Sequence, residues 1–344
     1  MKIIMLGAGA LGSVIGAHLV RAGAEVIFIA RGSRAAFLHQ HGLRLTGLAD
    51  FTVPITVTTR PQEVQGADVL MVTVKTYDME PALASLQHLT VGSVLSWQNG
   101  VLKNEQLART FGWDRVLGAT AVVSGEVLPD GTVRFTLNER LALGELPAGT
   151  SARADALAAT LVRAGLRAEV SPHIQTEEWS KYVSITSGSA VAGLTRLPTA
   201  QFLADPDGAV LVARLVRELG HLAACLGIPL EDRGLLPIQT LCSGSLVEAV
   251  ASVRQGGAVL AARAPALKNS LLQDLERGRR LEVEETLGYA VRKGLELDVP
   301  LPTVDICYRL LAGVNRHLQS REQASREGRI EVLGQAVPLE TSAQ

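Results

Sequence analysis

The feature that most constrains this chain is a glycine pattern near its start, Gly7-Ala8-Gly9-Ala10-Leu11-Gly12. An apolar run, Lys2–Leu6, ends at the first of these glycines. Residues 11–22 follow, where Leu11, Ile15 and Leu19 recur at helical spacing and Gly23 supplies a stop. An uninterrupted apolar run reads as a strand buried on both faces, so the local order is strand, glycine turn, helix. In that order the first glycine makes a tight turn and the second lets the backbone approach a pyrophosphate. The third lets the helix pack closely on the strand. Bare amides and the positive end of the helix dipole then hold the anion. Residues 3–20 also imitate a signal peptide, but Gly7, Gly9, Gly12 and Gly16 would weaken any continuous apolar helix there. The stretch is therefore read as buried strand, turn and first helix.

Residues 25–30 form a second buried strand, and apolar runs at 69–74 and 94–97 follow helix-like or loop segments. Strand and helix in alternation specify a parallel sheet covered on both faces. Residues 119–124 read as a further strand, and residues 127–133 as a hairpin turning at Pro129-Asp130-Gly131. Past Ser171-Pro172 strands give way to alanine- and leucine-rich helical stretches, punctuated by Pro198, Pro206, Pro229, Pro237, Pro265 and Pro300. The expected fold is α/β: an N-terminal Rossmann unit, a doubly wound parallel sheet, over residues 1–170. A C-terminal all-helical substrate and dimerisation domain occupies 171–320, and a polar, poorly ordered tail 321–344. A chain of 344 residues has room for two such domains, and 47% hydrophobic against 19% charged residues supplies their cores.

The same composition narrows the partners. Lys+Arg 33 against Asp+Glu 34 leaves no basic surplus to neutralise a nucleic-acid backbone. Cys225, Cys242 and Cys307 are odd in number and form no CxxC pair, which points to a reduced, cytoplasmic chain with no structural zinc and no metal site. No other stretch reads as a membrane span. A homodimer is compatible with the long apolar helices of the second half.

The end of the second strand bears on which dinucleotide is bound. An NAD enzyme carries Asp or Glu there to accept the ribose 2′-hydroxyl. Here the strand ends Phe28-Ile29-Ala30-Arg31-Gly32-Ser33-Arg34, with two guanidiniums and no carboxylate. Arginine suits a 2′-phosphate through bidentate, charge-assisted contacts, so the expected cofactor is NADP(H).

With the loop, Val72-Thr73-Val74-Lys75, Gln98-Asn99-Gly100 and Glu178-Trp179-Ser180-Lys181 in view, the chain resembles the ketopantoate reductase (2-dehydropantoate 2-reductase) family, in order from residue 1 to about residue 315. The resemblance implies an NADP-dependent oxidoreductase acting on CH–OH groups. It would reduce the ketone of ketopantoate to (R)-pantoate, in pantothenate synthesis. It implies that Gly7, Ala8, Gly9, Ala10, Leu11 and Gly12 hold the cofactor, that Arg31 meets its 2′-phosphate, and that Lys75 lines its side of the cleft. Asn99 would lie near nicotinamide and substrate, Lys181 would be the general acid, and Ser189, Ser270 and Glu282 would bind the substrate. Hydride delivery to a ketone leaves negative charge on oxygen, so a proton donor must stand within hydrogen-bond reach. Each assignment has a plainer rival. Asn99-Gly100 is a common turn, and Lys75 and Arg31 could be solvated charges. Ser270 could cap a helix, and Glu282, just after Gly278, could favour a first helical turn by its charge alone.

Departures from the family pattern fall in the substrate half. Lys181, Ile185 and Ser189 are four apart, on one face of a helix. The family commonly has asparagines at the second and third positions. Each lost amide leaves a polar group unpartnered at about 1–3 kcal/mol, enough to redirect specificity. Leu287-Gly288 also stands where Asn-Gly is often found. The substrate is thus ketopantoate or a related 2-oxo acid. The alternatives are a hydroxyacid- or opine-type dehydrogenase and a non-catalytic dinucleotide-binding regulator.

Overall fold

The structure is a computed structural model and describes residues 1–335. The chain forms two compact units, Met1–Tyr182 with Leu226–Arg233, and Val183–Cys225 with the chain from Gly234 onward.

The first unit opens with β1 (Lys2–Leu6), α1 (Ala10–Arg21), β2 (Glu25–Ile29) and α2 (Gly32–His41). Then come β3 (Leu43–Gly47), β4 (Phe51–Val53), β5 (Thr56–Thr58), β6 (Gly66–Val72), α3 (Met79–Ala84), β7 (Thr90–Ser96) and α4 (Leu102–Phe111). β8 (Leu117–Val127), β9 (Val133–Glu145), α5 (Ala152–Arg163), β10 (Ala168–Val170) and the start of α6 (Ile174–Thr195) complete it. Five strands in the order β5-β2-β1-β6-β7 make one parallel sheet. Successive side chains of a strand point to opposite faces. Accordingly Ile3 and Met5 enter one core with Ile15 and Leu19 of α1, while Ile4 and Leu6 enter another with Leu70 and Leu107. A run of consecutive apolar residues, here Ile3–Leu6, is what a sheet covered on both sides requires.

The order runs outward from β1 in both directions, so the chain reverses its winding between β1 and β6. The register aligns Leu6 with Ile29 and with Val72, and Val72 with Ser96, which gathers the carboxyl ends of β1, β2, β6 and β7 along one edge. Ligands of open α/β sheets bind outside the carboxyl ends at such a reversal. A second sheet runs β10-β9-β3-β4, with β8 antiparallel on β9 and Val127 facing Val133 across the expected Pro-Asp-Gly turn.

The second unit contains the remainder of α6 and then α7 (Thr199–Ala204), α8 (Pro206–Cys225), α9 (Ile238–Ser243), α10 (Leu246–Arg263), α11 (Ser270–Glu276), α12 (Leu287–Glu296) and α13 (Pro302–Gln335). No strand follows β10 among the described residues. Pro198 and Pro237 stand just before α7 and α9, and Pro206 is the first residue of α8. Proline suits a helix start because its missing N–H would have had no partner there.

Two boundaries differ from expectation. Strands end near residue 170, but the compact units divide inside α6, between Tyr182 and Val183. The first turns of α6 stay with the first unit because Glu177 is ion-paired to Arg140 of β9 and accepts a 2.6 Å hydrogen bond from Ser171. Leu226–Arg233 returns to the same unit, where the Glu231 N–H donates to Ser180 Oγ at 2.9 Å and Arg233 lies 3.5 Å from Glu177. The polar tail begins inside α13, which continues through Gln335, so its first part is helical; residues 336–344 lie outside the described residues.

Candidate active site

The glycine loop joins β1 to α1 with each glycine in a distinct role. Gly7 has φ +109°, a conformation L side chains rarely adopt, and a Cβ there would meet the Val74 amide nitrogen at 2.8 Å. A Cβ on Gly12 would collide with the Gly7 carbonyl and the Thr73 hydroxyl. A Cβ on Gly9 would meet nothing within 4 Å and would project into open space. Gly9 is also the N-cap of α1 and offers no side-chain hydrogen bond to the helix amides. This is the surface a diphosphate needs: open backbone at a helix N-terminus, with nothing competing for the amides. Thr73, past β6, donates to the Gly7 carbonyl at 2.9 Å and braces the loop from one side.

Arg34 braces it from the other side. Its guanidinium donates to the Ala8 carbonyl at 2.9 Å, to Ser13 Oγ at 3.1 Å and to the Gly131 carbonyl at 2.6 Å. It is therefore committed to the loop and is not a second cation for a 2′-phosphate, which corrects the pairing of Arg31 with Arg34. Arg31 is exposed at the end of β2 and pairs at 3.4 Å with Asp78, from the 3₁₀ turn that follows Lys75. A carboxylate thus does stand beside the β2 end, supplied from the neighbouring connection rather than by the strand. Lys75 directly precedes that turn, on the same edge of the sheet.

Gln98-Asn99-Gly100 follows β7, with Gly100 at φ +90°. Gln98 ties the strand ends together, its amide donating to the Val74 carbonyl at 2.6 Å. Its own carbonyl receives the Lys103 ammonium at 3.0 Å. Asn99 is half-buried at this junction.

Lys181 lies on α6 against β8, donating to the Ala121 carbonyl at 2.6 Å. Beside it is a buried group that the sequence reading did not single out. Lys103 faces Glu178 at 3.1 Å and also donates to the Ala119 carbonyl. Glu178 accepts the Ala119 N–H at 2.8 Å and the Asn104 amide at 2.6 Å. The backbone of an uncovered strand edge is thereby satisfied by side chains. Burial, and then repulsion from Lys103, bring the Lys181 ammonium down to about 7, against the attraction of Glu178. Burial also pushes Lys103 below the usual lysine range, with Glu178 opposing. Glu178 was within reach of sequence reasoning, since it stands three residues before Lys181 on a helix. Lys103 carried no signal of its burial.

The remaining expected substrate residues belong to the second unit. Asn269 caps α11, accepting the Leu272 N–H at 3.0 Å, and donates to the Gly188 carbonyl at 3.3 Å. That contact sets Ser270, the first residue of α11, near the α6 turn that carries Ser189. Glu282 lies in the turn segment between α11 and α12, not in a first helical turn; the Leu281 N–H before it is held by Asn315 of α13 at 2.8 Å. Its charge therefore has no helix of its own to stabilise.

Family models described as ketopantoate reductase PanE/ApbA and its C-terminal region match residues 3–148 and 173–315. The chain is 31% identical to a 2-dehydropantoate 2-reductase of Archaeoglobus fulgidus, over 92% of this chain and 99% of that protein. A crystal structure of a PanE/ApbA family ketopantoate reductase from Ralstonia eutropha JMP134 superposes with a TM-score of 0.78 at 28% identity, covering 93% of this chain and 100% of that one. D-mandelate dehydrogenase with NADH and anilino(oxo)acetate shares the fold, with a TM-score of 0.79 at 21% identity and 93% and 100% coverage. The two matched segments take in the glycine loop and Lys181 alike, and on these matches the chain belongs to the ketopantoate reductase family.

Proposed function

We propose that this protein reduces the ketone of ketopantoate, or of a closely related 2-oxo acid, with NADPH. The observation that carries the reading is Lys181, held on the β8 edge by the Ala121 carbonyl and brought to about 7, where a general acid is most effective. When bound, the coenzyme supplies a hydride to the carbonyl carbon. The residues of the chain do the rest. The amides of Gly7–Gly12 hold the diphosphate, Arg31 faces the 2′-phosphate, and Lys75 and Asn99 line the coenzyme side. Lys181 gives its proton to the ketone oxygen as negative charge develops there, and the neutral amine takes a proton back from water. Asn99, Ser189, Ser270 and Glu282 are the proposed substrate contacts. Because Lys181 must be an ammonium for reduction, kcat/KM for reduction should fall as pH rises above about 7.

Ile185 favours a second reading of the substrate. It places an apolar side chain one helical turn past Lys181, where the family commonly has an amide. A 2-oxo acid with an apolar or aryl side chain would lose less there than ketopantoate, whose hydroxyl wants a partner. NADPH oxidation against a panel of 2-oxo acids tests both readings. Saturable turnover is expected with at least one member, and Lys181→Ala should lower it at least about a hundredfold. Near-normal turnover in the variant would remove Lys181 from the chemistry.

A further inference from the structure

Lys103 is 3% exposed and has no part in the steps above, yet its ammonium is held on every side. Its Nζ meets the Gln98 carbonyl at 3.0 Å, the Ala119 carbonyl, and Glu178 Oε1 at 3.1 Å. Three acceptors, one of them a carboxylate, match the three protons of an ammonium. The carboxylate is itself complete, with the Ala119 N–H on Oε1 and the Asn104 amide on Oε2. In an antiparallel strand the N–H and C=O of one residue face the same edge, and residues two apart repeat that facing. Ala119 and Ala121 therefore present their carbonyls on the edge of β8 that β9 does not use. Lys103 takes the first and Lys181 the second, so the two nitrogens rest on carbonyls about 7 Å apart along one strand.

We propose that Lys103 is a positioning residue of the reduction: with Glu178 it fixes the β8 edge on which Lys181 rests, and it sets a buried charge one carbonyl along the same strand. The inference rests on the reading of Lys181 as proton donor. The charged groups bearing on Lys181 are Lys103 from α4 and Glu178 from its own helix, while β8 contributes a backbone carbonyl. The repulsion from Lys103 outweighs the attraction of Glu178, so removing both charges still raises the affinity of Lys181 for its proton.

Lys103→Met keeps the stem and removes the charge, leaving Glu178 to act on Lys181 alone. The alkaline limb of kcat/KM for ketone reduction should move up by at least about one pH unit, a tenfold change in acid dissociation. Lys103→Met combined with Glu178→Gln should place the limb between that variant and the wild type. The pH dependence of Lys181 acetylation by acetic anhydride, read by mass spectrometry, gives the same midpoint without turnover. If no 2-oxo acid is reduced by the wild type, the proposed activity fails, and the acetylation midpoint still decides whether Lys103 governs Lys181. A midpoint unchanged in folded Lys103→Met overturns the proposal. Should that variant not fold, a midpoint in the double variant at or below that of the wild type overturns it.

Discussion

Two arginines three residues apart show what a sequence can and cannot assign. Arg31 and Arg34 look interchangeable after β2, but Arg34 is turned inward by the Gly131 carbonyl, 97 residues away, and by the Ala8 carbonyl of the loop. That choice depends on where the β8–β9 turn lands, which local pattern does not encode. The three glycines of the loop were legible because the strand, turn and helix around them recur locally in sequence, although the atoms that crowd Gly7 and Gly12 include Thr73, past β6. The distinction between the arginines has a measurable consequence. Arg34→Met should weaken NADPH and NADH alike, by about tenfold, since it removes a charge-assisted brace from the Ala8 carbonyl. Arg31→Ala should weaken NADPH by a similar factor and leave NADH nearly unchanged. Fluorescence titration of both coenzymes separates the two, and a selective loss of NADPH in Arg34→Met would contradict the bracing role.

Among the elements, the parallel sheet was the most readable part, because its strands carry consecutive apolar residues that fill both faces. α6 was the least readable. Its residues gave a helix and a candidate proton-donating lysine, but not the anchoring that keeps its first turns on the α/β unit. That anchoring is electrostatic and long-range: Glu177, buried, takes Arg140 through both of its oxygens and Ser171 through one. Arg140 holds this carboxyl below the usual carboxylate range, against the opposing effect of burial. Glu177→Ala would leave Arg140, which keeps Glu169, without its buried partner and Ser171 without its acceptor, at a cost of about 1–3 kcal/mol. Urea denaturation followed by circular dichroism should show that loss. A variant as stable as the wild type would mean that α6 is anchored by its apolar contacts alone.

At the scale of the whole molecule, the sequence divides where its strands stop, and the structure divides about one helix turn beyond Glu178. The shift puts Lys181 in the same compact unit as the glycine loop, Arg31, Asn99 and the Lys103–Glu178 pair. The proposed proton donor and the proposed coenzyme site therefore share one compact unit, while Ser189, Ser270 and Glu282 belong to the other. Among the described residues no helix is long and apolar enough to cross a membrane, and no group of His, Cys, Asp and Glu is placed to hold a metal ion. The proposed chemistry begins with coenzyme held on the loop between β1 and α1. Titration calorimetry of the wild-type chain with NADPH, and separately with NADH, tests that foundation most directly. Saturable one-site uptake of NADPH is expected, with weaker uptake of NADH. The absence of binding heat from both coenzymes across a range of temperatures would contradict it.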